Sequence, residues 1–269
     1  MLDLPRSARL AAWGTGVLAG TAGLQAAVAA VVRDDEPHAV RWDATAPDLP
    51  GLPAARDGDL ALLLAALAEC PGAQLLVVLP VPGDPRGLPG PPPVNVAALE
   101  AGECVVAEVA GSAQRWALLP EVAEFGSVWE PGAHVTWQVL AAAPRRAPES
   151  SSVADSEREL RLALGTATQA LASLDVARWR EDAADRIAAV RDGALAPDAV
   201  PPGLPPRAAR VLQTAARVLA IVELATEDDG AAITSHEAAS RARALREVGA
   251  VARRAVTAAV NAHVEPMRP

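Results

Sequence analysis

One stretch, Gln74 to Glu108, limits what this chain can fold into more than any other. Gln74-Leu-Leu-Val-Val-Leu-Pro80-Val is a short, almost unbroken apolar run. Such a run is the mark of a strand covered on both faces. Cys70-Pro-Gly72 before it, with Pro80 and Pro82 at its end, favour a strand over a buried helix segment. The next residues, Gly83-Asp-Pro-Arg-Gly-Leu-Pro-Gly-Pro-Pro-Pro93, are poorly suited to a ladder, because proline has no amide to donate and its φ is locked. They predict a stiff surface loop with polyproline character. Asn95 is placed to cap a brief helical turn through Ala101, with Gly102 as its stop. Glu103-Cys-Val-Val-Ala-Glu-Val109 reads as the next strand.

A rigid loop leaving a buried strand is a natural rim for a binding site. Arg86-Gly-Leu-Pro89-Gly-Pro-Pro92 fits the Arg-x-x-Pro-x-x-Pro pattern that docks into aromatic grooves. Alternatively, Asp84, Arg86 and Asn95 converge on a small polar ligand. The structural alternative to both is a plain connector in a chain with 24 prolines.

Composition closes off several chemistries. The 269 residues are 51% hydrophobic and 21% charged, which is the balance of a folded chain rather than a disordered one. Only 3% are aromatic, with one Phe and no Tyr, so Ala, Val and Leu must fill the core. The absence of lysine rules out a Schiff base or a phosphate-loop lysine, and the absence of tyrosine rules out a tyrosine acid or nucleophile. A net charge of −9 argues against a nucleic-acid binder. Cys70 and Cys104 are too few for a disulfide framework and have no histidine nearby for a metal. Buried free thiols in a reducing cytoplasm are the expectation.

The uncharged run from Leu10 to Val32 invites a membrane or export reading. However, Leu10, Trp13, Val17, Leu24, Val28 and Val31 recur at helical spacing, which is an amphipathic pattern. Two short packed helices are expected, Arg6 to Ala19 and Ala22 to Val32, with Thr21 capping the second. Gly14-x-Gly16-x-x-x-Gly20 resembles a dinucleotide fingerprint but is preceded by helix formers where that motif needs a strand. His38-Ala-Val-Arg-Trp42 reads as an edge strand, and a helix from Asp59 to Glu69 buries Leu60, Leu63, Leu64 and Leu67. Arg115 to Leu119 pairs back on the preceding strand through Gly111-Ser112. His134 to Leu140 alternates with Val135, Trp137 and Val139 on one face.

These elements predict an α+β fold. Residues 1–145 form a mainly antiparallel sheet with helices, 146–152 a linker, and 153–269 an antiparallel helical bundle. In the second part, Ser152 caps a helix to Ala172, and Asp175 caps another carrying Val176, Trp179, Ala183, Ile187 and Val190. A third carries Val211, Ala215, Val218 and Val222. Thr234-Ser-His-Glu237 is a capping box opening a last helix with Leu245, Val248, Ala252, Val256 and Ala259 as its seam. Arg243, Arg246, Arg253 and Arg254 lie off that seam, on a solvated face or one that docks an acidic partner.

Candidate chemistry is sparse. His236 and His263 sit at helix ends in structural positions. His38 and His134, both on predicted strands, can approach each other but lack an acidic or cysteine partner at ligand spacing. The sequence therefore points to no catalytic residue, metal or cofactor. It points to a non-enzymatic, soluble cytoplasmic protein acting through an unknown protein partner or self-association, with neither nucleic acid nor membrane involved. The alternative is a small-molecule-binding protein, or an enzyme of unfamiliar type, with its site at the proline-rich loop 82–95.

Three segments resemble a family of hypothetical proteins from high-GC Gram-positive bacteria. They are Leu4-Pro-Arg-Ser-Ala-Arg-Leu-Ala-Ala-Trp-Gly14, Leu79-Pro-Val-Pro-Gly-Asp-Pro-Arg-Gly-Leu-Pro-Gly-Pro91 and Leu174-Asp-Val-Ala-Arg-Trp-Arg180. The resemblance spans most of the chain. It implies a bacterial, cytoplasmic setting and carries no activity or site.

Overall fold

A computed structural model describes residues 2–44, 46–49, 57–127, 130–143, 152–173, 190, 193–226 and 235–262, with side chains excepted at 131, 166–173 and 235–238. The chain divides into two compact units. One comprises Pro5–Glu149 with Asp198–Leu204 and Val260–Pro269; the other comprises Met1–Leu4, Ser150–Pro197 and Pro205–Ala259.

The first unit is α+β. Its strands are β1 (Ala39–Trp42), β2 (Asp57–Asp59), β3 (Ala73–Val78), β4 (Cys104–Val109), β5 (Arg115–Gly126) and β6 (Pro131–Ala142). They form one sheet in the order β2-β1-β6-β5-β4-β3. The sheet is mixed: β1 runs parallel to β6, with Ala39 opposite Thr136, a pairing the sequence did not suggest, while the other four neighbouring pairs are antiparallel. No hairpin joins β1 to β6, so no short turn dictates their direction. Nor is β1 an edge, because Asp57-Gly-Asp59 pairs outside it.

Four helices accompany the sheet: α1 (Arg6–Leu18), α3 (Leu60–Ala68) and α4 (Pro92–Ala101) contact its strands, and α2 (Leu24–Val32) packs on α1 and α3. Period-two burial shares the strands between two helical layers. Leu75, Val77, Val105, Ala107, Trp116 and Leu118 are all buried on the face toward α1. Gly14 of α1 comes so close to Leu75 that a Cβ there would lie 2.3 Å from Cδ1, and Thr15 Oγ1 donates to Leu75 O at 3.4 Å. Gly14 thus serves helix-on-sheet contact, while Gly16 faces Ala22 and Pro201, and residues 10–16 with Ala27, Ala30 and Val31 go into the core. On the other face, Val94 and Ala98 of α4 pack with Val78, Cys104, Val106, Ala117 and Leu119.

Local signals set several boundaries. Asp59 caps α3 by accepting from Leu62 N at 2.8 Å, and Gly102 ends α4 at φ 70°. Two expected caps differ. Gly23, not Thr21, precedes α2, and Thr21 Oγ1 instead donates to Gly16 O at 3.2 Å. The α4 helix starts at Pro92, upstream of Asn95, because proline suits a first turn whose amides have no partner anyway. The free edge of β3 is met at one point by a side chain: Asn261 Oδ1 accepts from Val77 N at 2.9 Å, and its Nδ2 donates to Val77 O at 3.0 Å.

The second unit holds α5 (Val153–Ser173), α6 (Pro206–Thr226) and most of α7 (Ser235–Asn261). Ser152 Oγ accepts from Asp155 N at 3.1 Å at the start of α5. Arg207 on α6 meets Glu157 on α5 at 2.8 Å, and Arg241 on α7 donates to Ala225 O on α6 at 3.0 Å. Val248, Ala252, Val256 and Ala259 are buried, whereas Leu245 is half-buried. The helix expected from Asp175 and the capping residue Thr234 lie outside the described residues, as do His263 and the side chain of His236.

Candidate functional site

The proline-rich loop is braced on itself. Asp84 N donates to Val81 O at 2.9 Å, closing a turn after β3. Arg86 then forks onto Asp84, with Nε to Oδ1 at 2.6 Å and Nη2 to Oδ2 at 2.9 Å. Asn95 Oδ1 accepts from Gly90 N at 2.7 Å, fastening the loop to α4, and Gly90 O accepts from Ala143 N at 3.0 Å. The structure therefore joins Asp84 to Arg86 and turns the Asn95 carbonyl toward the loop backbone. Pro89 is buried and Pro92 begins an α-helix, so Arg86-x-x-Pro-x-x-Pro lacks the continuous, exposed left-handed helix that groove binding needs.

A denser set of ionisable groups lies where the start of α1, the turn after α2, the residue before β4 and the middle of β6 meet. Arg6 forks onto Asp35, with Nε to Oδ2 and Nη2 to Oδ1 both at 2.7 Å. Buried Arg9 adds a second guanidinium 3.8 Å from Oδ2. His38 Nε2 lies 3.1 Å from Asp35 Oδ2, and Trp137 Nε1 lies 3.1 Å from His38 Nδ1. An indole N–H only donates, so Nδ1 accepts and the imidazole proton sits on Nε2, directed at the carboxylate. Across the cluster, Glu103 Oε2 accepts from Ser7 N at 2.7 Å, supplying the cap that Pro5 cannot.

Their electrostatics differ by environment. Burial pushes the Glu103 carboxyl up, against the Ser7 bonds and the two arginines. Burial also pushes Asp35 up, but the bonds from Arg6 and His38 prevail and hold it below the usual carboxylate range. Burial lowers His38, and nearby Arg9 and Arg6 add to that, while Asp35 pulls the other way. A carboxylate-oriented imidazole has the outline of a general base, but such a base needs an available lone pair. The lone pair on Nδ1 is bonded to Trp137, and His38 is 2% exposed. As arranged, the cluster ties four segments together.

The third feature is an arm. β5 and β6 pair without interruption from Arg115–Ala142 to Gly126–Pro131, but β4 accompanies β5 only over Arg115 to Leu118. The burial of β5 ends with Pro120, and Glu121 to Gly126 are exposed. Val122 and Phe125 are among the exposed large apolar side chains, at 37% and 45%. Phe125 lies over Gly132 and stacks on His134 with centroids 4.5 Å apart. Reciprocal backbone bonds at 3.2 Å join Ser127 and Glu130, and Gly126 takes φ +90° beside Glu130 O.

The two histidines expected to approach each other thus have separate partners. Sequence reasoning also missed the Asp35–His38 pair, although an acid three residues before the histidine was visible. Trp137 and Glu103, far away in sequence, gave no such sign. Both cysteines are free and buried; burial pushes Cys70 up and Cys104 to about 12. Among the described residues, no group of three or more His, Cys, Asp or Glu side chains could hold a metal ion, and no helix is long and apolar enough to cross a membrane.

Two family descriptions match the chain: the Rv1486c-like protein N-terminal domain over residues 7–151 and its C-terminal domain over residues 154–257. Among curated relatives, the uncharacterized protein Rv1486c of Mycobacterium tuberculosis strain H37Rv is 31% identical, across 95% of this chain and 96% of the relative. The uncharacterized protein MT1533 of strain CDC 1551 matches to the same extent. No solved structure matches.

Proposed function

This chain belongs to the Rv1486c-like family, and from that premise we propose that it is a non-enzymatic, soluble cytoplasmic protein that acts by holding a protein partner on the β5–β6 arm. The observation that carries the reading is the exposure of Val122 and Phe125 on a strand that has outrun its neighbour. Burial of apolar side chains is the main return on association, and aromatic anchors dominate such contacts. The commitment of His38, Asp35 and Glu103 to bonds within the fold agrees with a scaffold. In the same reading, the second unit is an antiparallel helical bundle following a linker at 146–152. The α5–α6 and α6–α7 bonds support this.

Capture from a native bacterial lysate on immobilised full-length protein tests the proposal. Proteins retained by the wild type should be depleted on a Val122→Ser/Phe125→Ser variant. Equal retention on both, or nothing above background on either, would overturn it.

A second reading places a small anionic ligand at loop 82–95. It is supported by the Arg86 guanidinium, held by Asp84 yet 51% exposed. Titration with inorganic phosphate, followed by loop amide shifts, should then show saturation that Arg86→Gln abolishes.

A further inference from the structure

The inference rests on reading the arm as the contact surface and adds how a partner engages it. From Glu121 to Gly126, β5 is paired on the β6 side, and no described strand lies on the other. Six residues of strand make an edge about 20 Å long on which alternate residues turn backbone N–H and C=O outward. Such an edge is a template for another strand, and proteins blunt it with charge and proline. Here Pro120 stands at its root, and Glu121 and Glu124 lie along it. Between Arg115 and Arg145 the sequence has no arginine or lysine; its carboxylates are Glu121, Glu124 and Glu130, and His134 is its one imidazole.

That charge pattern selects the occupant. Two copies of this edge laid together would bring acids near acids, which is unfavourable in a sheet. A strand bearing arginine or lysine would be attracted instead; with its alternate apolar side chains over Val122, its cationic ones fall on the opposite face, where Phe125 lies. The exposed ring of Phe125 also offers a face for a guanidinium. We infer that Glu121–Gly126 of β5 accepts an extended, basic segment of a partner protein as an added strand. Backbone pairing supplies the geometry and the glutamates supply the preference for cationic residues.

The test uses a short fluorescent peptide of alternating Arg and Val against the full-length protein, read by polarisation. Three control peptides accompany it: two N-methylated at alternate residues, one in each register, and one with Glu in place of Arg. The basic peptide should bind and slow amide exchange at 121–126. One N-methylated register should bind about tenfold more weakly or worse, since it loses the ladder bonds but no charge. The Glu peptide should fail. Glu121→Gln/Glu124→Gln, checked for native circular dichroism, should weaken binding about threefold to tenfold and flatten its salt dependence. Equal binding by both N-methylated peptides would reduce the effect to charge alone and overturn strand addition, as would no binding by the basic peptide. If that peptide fails while lysate capture still depends on Val122 and Phe125, strand addition falls and the partner-binding reading stands. If capture fails as well, both fall.

Discussion

The indole nitrogen of Trp137 donates to Nδ1 of His38 across 3.1 Å, so the two side chains together fix the histidine as its Nε2-protonated, neutral form. Protonating Nδ1 would set two donors against each other in a buried space that already holds Arg6 and Arg9. A residue that resembles half of a catalytic dyad is thereby committed to the join between β6 and the turn before β1.

Trp137→Phe keeps an aromatic ring in the buried site and removes the donor together with part of the ring volume. It leaves a buried acceptor unsatisfied, so urea unfolding should show a loss of about 1–3 kcal/mol. The histidine should also protonate more readily, and its NMR midpoint should move upward. An unchanged midpoint would mean that Trp137 does not govern His38.

Glu103 acts on α1 from nearly a hundred residues away. Glu103→Ala should cost about 1 kcal/mol as a lost cap, and Glu103→Gln less, because the amide oxygen still faces Ser7 N and needs no charge desolvated. Since burial raises the folded-state value of Glu103, its contribution is full below the ordinary 4.5 and fades as pH rises through the raised value. The Gln variant should lose that component of the pH profile. Chemical denaturation at several pH values measures it.

Gly14→Ala should destabilise the first unit by about 1–3 kcal/mol through overpacking against Leu75 and Leu64, more than the helix propensity gained. Adding Leu75→Ala should relieve the overpacking, so the double variant should fall short of the sum of the single losses. Additive losses in thermal unfolding would contradict the contact.

At the arm, Gly126→Ala places a Cβ at φ +90° and against Glu130 O. Strain of about 1–3 kcal/mol is expected there. Because Glu121 to Gly126 are exposed, amide exchange should quicken along the arm while global unfolding stays nearly unchanged. A large drop in global stability would show that the arm belongs to the core.

Much of the fold was legible because local physics decided it. Asp59 before a leucine stripe, Gly102 after a short helix and Gly111 between two apolar runs each mark their boundary by cap or turn chemistry. The outer half of β5 was not legible. Pro120, Glu121 and Glu124 break the apolar alternation, and that strand is held by pairing with β6 instead of burial. Asp57-Gly-Asp59 carries no strand propensity, so β1 looked like an edge. The buried cluster was hidden for another reason: the β1–β6 register that places His38 near Trp137 is set by long-range pairing, which no spacing within either segment encodes.

On this reading the polar cluster belongs to the architecture, and the arm is the proposed working surface. Nitrogen-15 NMR of the His38 ring from about pH 5 to 8 tests it most directly. Because His38 is lowered in the folded state, the unfolded chain takes up the proton first; the His38 contribution to stability should be level above 6.5 and decline as pH falls below it. The predicted result is a neutral, Nε2-protonated ring that does not titrate near 6.5. A ring protonated on Nδ1, or one titrating at or above 6.5, would contradict the account and make His38 available as a base.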